Sequence, residues 1–226
     1  MGEREPVVTI DGPAGAGKGT VARALAQRLG YRLLDTGAMY RALAWSLGRA
    51  GLAEESPARL GHHLAGLRVD LRDERVYVDG RDVTDEIRTP EISALTSRLS
   101  ALAPVREKVT PLQRALAAAG GVVLEGRDTG TVVCPGADVK FYLVASVEER
   151  ARRRHAELSA RGLTADPAEV RAEIVKRDAQ DTGRALAPLR RAPDAIEIDT
   201  TGLTVAEVVD RMLDIIDERK RCYTRS

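Results

Sequence analysis

Asparagine is absent from the 226-residue sequence, and cysteine occurs only twice, at Cys134 and Cys222. Without asparagine, the N-K-x-D motif by which GTPases read guanine cannot be built, so that class is excluded. Two cysteines 88 residues apart allow neither a disulfide framework nor a zinc-ribbon spacing. We therefore expect a reducing compartment in which both thiols are bystanders.

The sequence also has no marked excess of charge and no long apolar run. Its 35 basic side chains oppose 34 acidic ones, a formal net charge of +1, which argues against a non-specific nucleic-acid binder. No run of 18 apolar residues predicts a membrane span, and residues 1–5 do not resemble the start of a secretion signal. We expect a cytoplasmic monomer without nucleic-acid or membrane partners.

Hydrophobic residues make up 43% of the chain, enough for one core and a small inserted subdomain. The apolar run at residues 7–10 breaks into a glycine-rich segment, after which helical spacing begins. A second short strand is predicted at 31–34 and a helix at 38–49. This order of strand, loop, helix, strand and helix predicts the start of a parallel α/β sheet.

The pattern beyond residue 50 predicts further elements and one interruption. Alternating apolar residues at 67–83 predict a small antiparallel hairpin around the turn at 72–75. Helices are predicted at about 90–101, 105–119, 146–161, from near Pro167, and at 205–220; strands are predicted at 122–124, 139–144 and around 196–198.

A phosphate loop is the clearest motif, and it lies between a predicted strand and a predicted helix. Its residues are Gly12, Pro13, Ala14, Gly15, Ala16, Gly17, Lys18, Gly19 and Thr20. Glycines let successive N–H groups point at phosphate oxygens, and Lys18 would neutralise the β/γ phosphates of ATP. An ordinary glycine turn is the alternative reading.

The end of this loop departs from the common pattern. Gly19 stands where Ser or Thr usually gives a hydroxyl to Mg²⁺, and Thr20 comes one residue late. We expect no direct protein ligand for the metal, with Mg²⁺ held mainly through ATP phosphates and water. The G-K-G-T ending resembles that of nucleoside monophosphate kinases such as adenylate kinase.

Two further motifs follow predicted strands, at residues 35–41 (D-T-G-A-M-Y-R) and 125–130 (E-G-R-D-T-G). Open α/β sheets bind ligands at the carboxyl ends of their strands. Either motif alone could be a helix cap with a surface arginine. Both together in a chain with a phosphate loop predict that Arg41 and Arg127 hold a second phosphate.

Two helical segments carry charged residues in register. Arg150, Arg153 and Arg154 share one side of a helix, which predicts a mobile arginine lid ending near Gly162 or, alternatively, a solvated face paired with glutamates. Arg177 and Asp181, with Arg184 one turn further on, are predicted to share one helical face. A solvent-facing ion-pair ladder would have the same spacing.

Five segments in the same order resemble the bacterial cytidylate kinases: G-P-A-G-A-G-K-G-T, D-T-G-A-M-Y-R, E-I-R-T, E-G-R-D-T-G-T-V-V-C-P-G-A-D-V-K-F-Y-L and R-D-A-Q-D-T-G-R. The likeness runs from about residue 7 to residue 215. It implies cytosine contacts from Thr36, Arg106, Asp128 and Arg184, with Ser97 in the same pocket. It implies ribose contacts from Tyr40, Arg177 and Asp181, and phosphate contacts from Arg41 and Arg127.

The resemblance implies an α/β P-loop NTPase fold, a three-layer sandwich around a parallel five-stranded sheet. The implied core is 1–36, 98–149 and 184–226. The implied NMP-binding subdomain is 37–97, with an insert at about 66–90 that contains the hairpin, and the implied lid is 150–165.

The implied reaction transfers the γ-phosphoryl group of ATP to CMP or dCMP in pyrimidine nucleotide metabolism. The expected catalytic residues are Lys18, Arg41, Arg127, Arg153 and Arg154. Two alternatives stay open: another P-loop kinase, for UMP, AMP or shikimate, and a nucleotide-binding regulatory module without turnover. The second set of arginines counts against the regulatory module, since that would need only the phosphate loop.

Overall fold

The computed structural model of the chain describes residues 4–72, 74–160 and 162–223, without the side chains of 222 and 223. Asp73 in the predicted hairpin turn, Arg161 in the predicted lid and the thiol of Cys222 therefore lie outside the described residues. The elements in chain order are β1 (Val7–Asp11), α1 (Lys18–Leu29), β2 (Arg32–Asp35), α2 (Thr36–Arg49), α3 (Pro57–Gly66), β3 (Val69–Arg72), β4 (Arg75–Val78), β5 (Arg81–Asp82), α4 (Pro90–Leu99), α5 (Ala103–Ala117), β6 (Val122–Glu125), β7 (Val139–Val144), α6 (Val147–Ala160), α7 (Pro167–Gly183), β8 (Ile196–Asp199) and α8 (Val205–Tyr223).

The central sheet has five strands in the order β2-β6-β1-β7-β8, all parallel. β1 is buried along its whole length, with Val8 beside Val123 of β6 and Val139 of β7. Strands covered on both faces read as continuous apolar runs, which is how residues 7–10 appear in the sequence. The predicted five-stranded parallel sheet is confirmed.

Helices cover both faces of this sheet. Successive side chains of β6 point to opposite faces, and Leu124 joins a core cluster with Leu43 of α2 and Val109 of α5. Val123 joins a second cluster with Leu25 of α1 and Met212 of α8. The fold is therefore the three-layer sandwich predicted from the sequence.

The predicted hairpin is one strand short of the observed structure, since β3, β4 and β5 form an antiparallel sheet of three strands. Asp79 and Gly80 both have positive φ, at 49° and 84°, and turn the chain so that Arg81 pairs with Val78. β5 has two residues, too few to show an alternating pattern.

This small sheet docks on α2 through Trp45. The indole Nε1 donates a hydrogen bond to Glu86 across 3.0 Å, just after the small sheet. The guanidinium groups of Arg49 and Arg81 lie 5.1 and 5.4 Å from the centre of the Trp45 ring. Arg81 also forms an ion pair with Glu86. The contact attaches the small sheet to α2.

Helix ends differ from the sequence predictions in two informative places. α2 begins at Thr36, two residues early, because the Asp35 carboxylate accepts a hydrogen bond from Ala38 N and caps the helix. α7 ends at Gly183, so Arg184 follows the helix and does not continue its face. In addition, α3 was not predicted. None of the helices in the described ranges is long and apolar enough to cross a membrane.

Candidate functional site

A cleft of about 780 Å³ opens at the carboxyl ends of the sheet strands. Residues 14–20 form one wall, and the ends of β2 and β6 form its floor. Residues of α4, α5, α6 and α7 surround the remainder. Open α/β sheets bind nucleotides at the carboxyl ends of their strands, and this cleft lies there with the phosphate loop on one side.

The phosphate loop has the backbone geometry that the sequence predicted. Gly15 and Gly17 have φ of 76° and 83°, and Gly17 is the left-handed residue from which α1 starts. Gly12 has φ of 148°, and a Cβ there would collide with the carbonyl of Leu143. Gly12 and Pro13 thus lie beneath the cleft, whereas residues 14–20 line it.

Lys18 is buried at the centre of this loop, and its Nζ donates to the carbonyl of Pro13 at 2.7 Å. Burial and the charge of Arg127 together lower the pKa of Lys18 to about 7, although the carboxylate of Glu125 opposes the shift. A phosphate would favour the charged ammonium. The site therefore destabilises the Lys18 charge until an anion arrives.

The motif after β2 lines the cleft through Asp35, Thr36, Tyr40 and Arg41. Asp35 caps α2 and also accepts a hydrogen bond from Arg41 Nη2 at 2.9 Å. Thr36 Oγ1 donates to the carbonyl of Glu125 at 2.6 Å and so joins β2 to β6. By capping α2 and bonding Arg41, Asp35 holds the Arg41 side chain at the cleft, one turn into the helix.

The motif after β6 is held in place by Asp11, a residue that the sequence analysis did not single out. The Asp11 carboxylate accepts hydrogen bonds from the N–H groups of Thr129, at 2.9 Å, and Gly130, at 2.7 Å. Burial raises the pKa of Asp11 although these hydrogen bonds oppose the shift. The segment between the end of β6 and Thr129 presents Arg127 and Asp128 to the cleft. An aspartate ending a buried strand directly before the loop was the available signal.

Two groups of buried ion pairs also line the cleft. Arg106 pairs with Asp128, and its Nη1 donates to the carbonyl of Ser100 at 3.1 Å. Asp181, 1% exposed, accepts from Arg127 Nε at 3.0 Å and pairs with Arg184. Burial raises the pKa of Asp128 in spite of Arg106. Because these carboxylates and arginines are paired and largely buried, they present polar groups to the cleft at fixed positions.

Arg177 and Asp181 both lie on α7, as the helical spacing predicted, but they do not form an ion pair within the part of the chain that the structure describes. Asp181 is oriented by Arg127 and Arg184, whereas Arg177 makes no hydrogen bond to it among the described residues. Burial and the charge of Arg127 lower the pKa of Arg177 to about 10. Arg177 is thus a half-buried cation near another cation, an arrangement that an anionic ligand would stabilise. Tyr40 is also buried here, which raises its pKa to about 12.

The three arginines of α6 do not behave as one group. Arg153 donates to the carbonyl of Thr200 at 2.6 Å, and Arg154 pairs with Glu157 at 2.9 Å; both line the cleft. Arg150 is buried, contacts the carbonyl of Ala14 at 3.0 Å and pairs with Asp178 of α7. Of the three arginines, Arg153 and Arg154 therefore line the cleft, whereas Arg150 lies between the phosphate loop and α7.

Ser97 is placed away from the cleft lining. Its hydroxyl donates to Gln180 of α7 at 3.1 Å, while Ser93 and Ser100 line the cleft instead. Glu125 and Arg88 also line the cleft, and the sequence analysis gave them no role although both lie in the quoted motifs. Burial and the charge of Asp35 raise the pKa of Glu125.

The sequence is similar to known proteins over nearly its whole length. The cytidylate kinase family model matches residues 8–218. The cytidylate kinase of Geobacter sulfurreducens is 54% identical over 224 residues, which cover 97% of this chain and 96% of that protein. The cytidylate kinase of Symbiobacterium thermophilum is 51% identical over 217 residues, covering 94% and 96%.

Among solved structures, an uncharacterized protein from Eubacterium ventriosum matches with a TM-score of 0.54 and covers 96% of this chain and 99% of its own. At 12% sequence identity this likeness concerns the fold alone. The family match and the two curated relatives, by contrast, extend over nearly the whole sequence. The chain therefore belongs to the cytidylate kinase family.

Proposed function

We propose that the protein transfers the γ-phosphoryl group of ATP to CMP or dCMP, giving ADP and CDP or dCDP, in pyrimidine nucleotide metabolism. The observation that carries the proposal is that a single cleft is lined both by the phosphate loop and by the buried Arg106–Asp128 pair. The family membership established above supports the same reaction.

The transfer itself needs positioning and charge neutralisation, not a covalent intermediate. The N–H groups of the phosphate loop and Lys18 bind the ATP phosphates. Arg41 and Arg127 reach the cleft from the segments that follow β2 and β6, and Arg127 also pairs with Asp181. They bind the acceptor phosphate, and Arg153 and Arg154 stabilise charge on the moving group from α6.

Recognition of the acceptor rests on the part of the cleft that the buried ion pairs line. Cytosine offers an amino donor and two acceptors, so a carboxylate, a hydroxyl oxygen and arginines can satisfy all of them. We assign this role to Thr36, Arg106, Asp128 and Arg184. We assign the ribose contacts to Tyr40, Arg177 and Asp181. A contact from Ser97 stays a prediction that needs a rotation away from Gln180.

The donor set of the chain fits a magnesium ion held mostly by nucleotide and water. Within the described ranges no three His, Cys, Asp or Glu side chains come together as a metal cluster. Glu125 and the exposed hydroxyl of Thr20 are the nearest oxygen donors at the loop, and they would hold water on the ion. When bound, Mg²⁺ would neutralise negative charge on the β and γ phosphates.

We retain as parts of the proposal a core at 1–36, 98–149 and 184–226, an acceptor subdomain at 37–97 and a lid at 150–165. The small sheet β3–β5 and its contact with Trp45 support treating 37–97 as a unit. A cytoplasmic location and a monomeric state remain predictions from the sequence.

A phosphate-acceptor screen tests the proposal. ADP formation is followed with the four ribonucleoside monophosphates, their deoxy forms and shikimate, and Lys18→Ala purified in parallel reports contaminating kinases. CMP and dCMP should have the highest kcat/KM. Higher values for UMP, AMP or shikimate would identify another kinase, and ATP binding without turnover of any acceptor would identify a regulatory module.

A further inference from the structure

Arg150 joins three parts of the protein through one guanidinium group. Its Nε donates to the carbonyl of Ala145 at 3.0 Å, at the end of β7. Its Nη1 donates to the carbonyl of Ala14 in the phosphate loop at 3.0 Å and to Asp178 Oδ2 in α7 at 2.6 Å. The Arg150 side chain is 6% exposed, so solvent screens these contacts little.

The contact with the phosphate loop is close as well as polar. A Cβ placed on Gly15 would lie 3.0 Å from the Cβ of Arg150, and Gly15 has a positive φ. In a loop whose N–H groups point inward at phosphate, the Ala14 carbonyl must point outward. Arg150 donates a hydrogen bond to that carbonyl. It therefore stabilises the orientation of the loop backbone that binds phosphate.

The contact of Arg150 with α7 lies close to the residues of α7 that line the cleft. Asp178 is flanked in sequence by Arg177, and Asp181 follows one helical turn later; both line the cleft. α6 and α7 share a small apolar cluster of Ala151, Leu158, Val170 and Ile174, separate from the two clusters of the main core. Polar contacts thus contribute much of the attachment of α7 to the loop.

We infer that the Arg150–Asp178 pair couples the two substrate sites, so that ATP bound at the phosphate loop increases the affinity for the acceptor nucleotide. ATP stabilises the loop orientation that Arg150 holds, and Arg150 in turn holds α7 where Arg177 and Asp181 face the cleft. Linkage makes the effect reciprocal, since the acceptor must increase the affinity for ATP by the same factor. This inference rests on the proposed function.

The experiment measures coupling rather than activity. Calorimetric titration gives the Kd of CMP with and without a saturating non-hydrolysable ATP analogue, and the ratio of the two values is the coupling factor. We expect at least about a 5-fold ratio for the wild-type protein, the lower end of common coupling. Asp178→Ala should bring the ratio close to one while changing the Kd of each nucleotide alone by less than about threefold, because neither substrate touches Asp178.

The matched control is Arg171→Ala. Arg171 of α7 pairs with Glu148 of α6 at 3.2 Å, so this ion pair also bridges the two helices, but it is exposed and does not touch the loop. The control should keep the wild-type ratio. Asp178→Asn, which retains one acceptor oxygen, should keep an intermediate ratio, and it serves the same test if Asp178→Ala does not fold.

The outcomes separate the inference from the proposed function. A wild-type ratio of one, or an unchanged ratio in Asp178→Ala and Asp178→Asn, would overturn the coupling while leaving the kinase assignment intact. An equal loss in Arg171→Ala would show that general helix packing, not Arg150, is responsible. If CMP binds the wild-type protein under neither condition, the proposed function itself is wrong.

Discussion

Thr36 donates its only hydroxyl hydrogen to the backbone carbonyl of Glu125. Toward the cleft its oxygen can therefore act only as an acceptor. The amino group of cytosine is a donor at the atom where uracil carries an acceptor oxygen. In the proposed site, this hydrogen bond from the start of α2 to the end of β6 makes Thr36 favour cytosine over uracil, a base of the same size.

Replacing Thr36 tests that relationship. Thr36→Val keeps the shape but removes the acceptor, so kcat/KM for CMP should fall about 5- to 30-fold, the effect of about 1–2 kcal/mol, while the value for UMP should change little. Thr36→Ser retains the hydroxyl and should remain close to the wild type. Steady-state kinetics on CMP and UMP measure both values. Equal losses on the two bases would place Thr36 outside base recognition.

Lys18→Ala should lower turnover by about 10³-fold, because its charge acts mainly on phosphates in the transition state. The melting temperature should not fall, since the change removes a buried charge. Arg59→Ala is the matched control, because it also removes one positive charge. Arg59 is an exposed residue of α3 that pairs with Glu55, so this variant should keep wild-type turnover. If Lys18→Ala kept wild-type turnover, the assignment of this loop as the ATP phosphate site would be wrong.

The pH dependence should show Lys18 as well. With its pKa lowered to about 7 by burial and by Arg127, the free protein loses the Lys18 charge as pH rises through about 7, so kcat/KM for ATP should decline there. Bound triphosphate favours the charged form, and kcat should remain constant to higher pH.

Stability responds to the same shift with a definite sign. Because the pKa is lowered on folding, the unfolded chain binds more protons between about pH 7 and its ordinary value of 10.5. Stability should therefore rise with pH across this window, and Lys18→Met should raise the melting temperature more at pH 6 than at pH 9. Thermal denaturation at the two pH values checks this, and an opposite order would contradict the buried charge.

Asp181→Ala would leave the arginines at 127 and 184 without their shared partner. We expect a stability loss of about 3–5 kcal/mol, as for other broken buried pairs, and a smaller loss for Asp181→Asn. In kinetics, Asp181→Asn should weaken CMP more than dCMP if the 2′-hydroxyl is its ligand, with ATP nearly unaffected. Urea denaturation and assays on the two acceptors separate the structural effect from the ribose contact.

Asp128→Asn provides the contrast. It should weaken CMP and dCMP alike and reduce the preference over UMP, since the carboxylate is assigned to the cytosine amino group. If the two variants give the same pattern on CMP, dCMP and UMP, the division into ribose and base contacts is wrong.

Arg154→Ala should lower kcat more than it weakens CMP binding and should leave the melting temperature nearly unchanged, because its ion pair with Glu157 lies within one exposed helical stretch. Arg153→Ala should lower both kcat and stability, since Arg153 also donates to the Thr200 carbonyl. Loss of stability without loss of kcat in both variants would favour purely structural roles.

The sequence predicted the sheet and the phosphate loop because their signals are local. Buried parallel strands must be apolar, and a loop that curls around phosphate needs glycine where Gly15 and Gly17 have positive φ. The side of α6 on which Arg150 lies was also predictable. What covers that side was not, since Asp178 and Ala14 are distant in sequence and only the packing of α7 brings them together.

The same reason explains the partners of Asp181. Helical spacing pointed to Arg177, but the turn after β6, fixed by Asp11, brings Arg127 to Asp181 instead. The two-residue strand β5 was missed because strand periodicity needs more residues than it has.

Trp45 is the only tryptophan of the chain, and it lies where α2 meets the small sheet. Its ring is enclosed by two guanidinium groups and hydrogen-bonded to Glu86, so its emission depends on all three neighbours. Any displacement of the small sheet against α2 changes the polarity around this single fluorophore. The fluorescence of Trp45 consequently reports movement of the small sheet against α2 in the wild-type protein, without a label and without a second tryptophan.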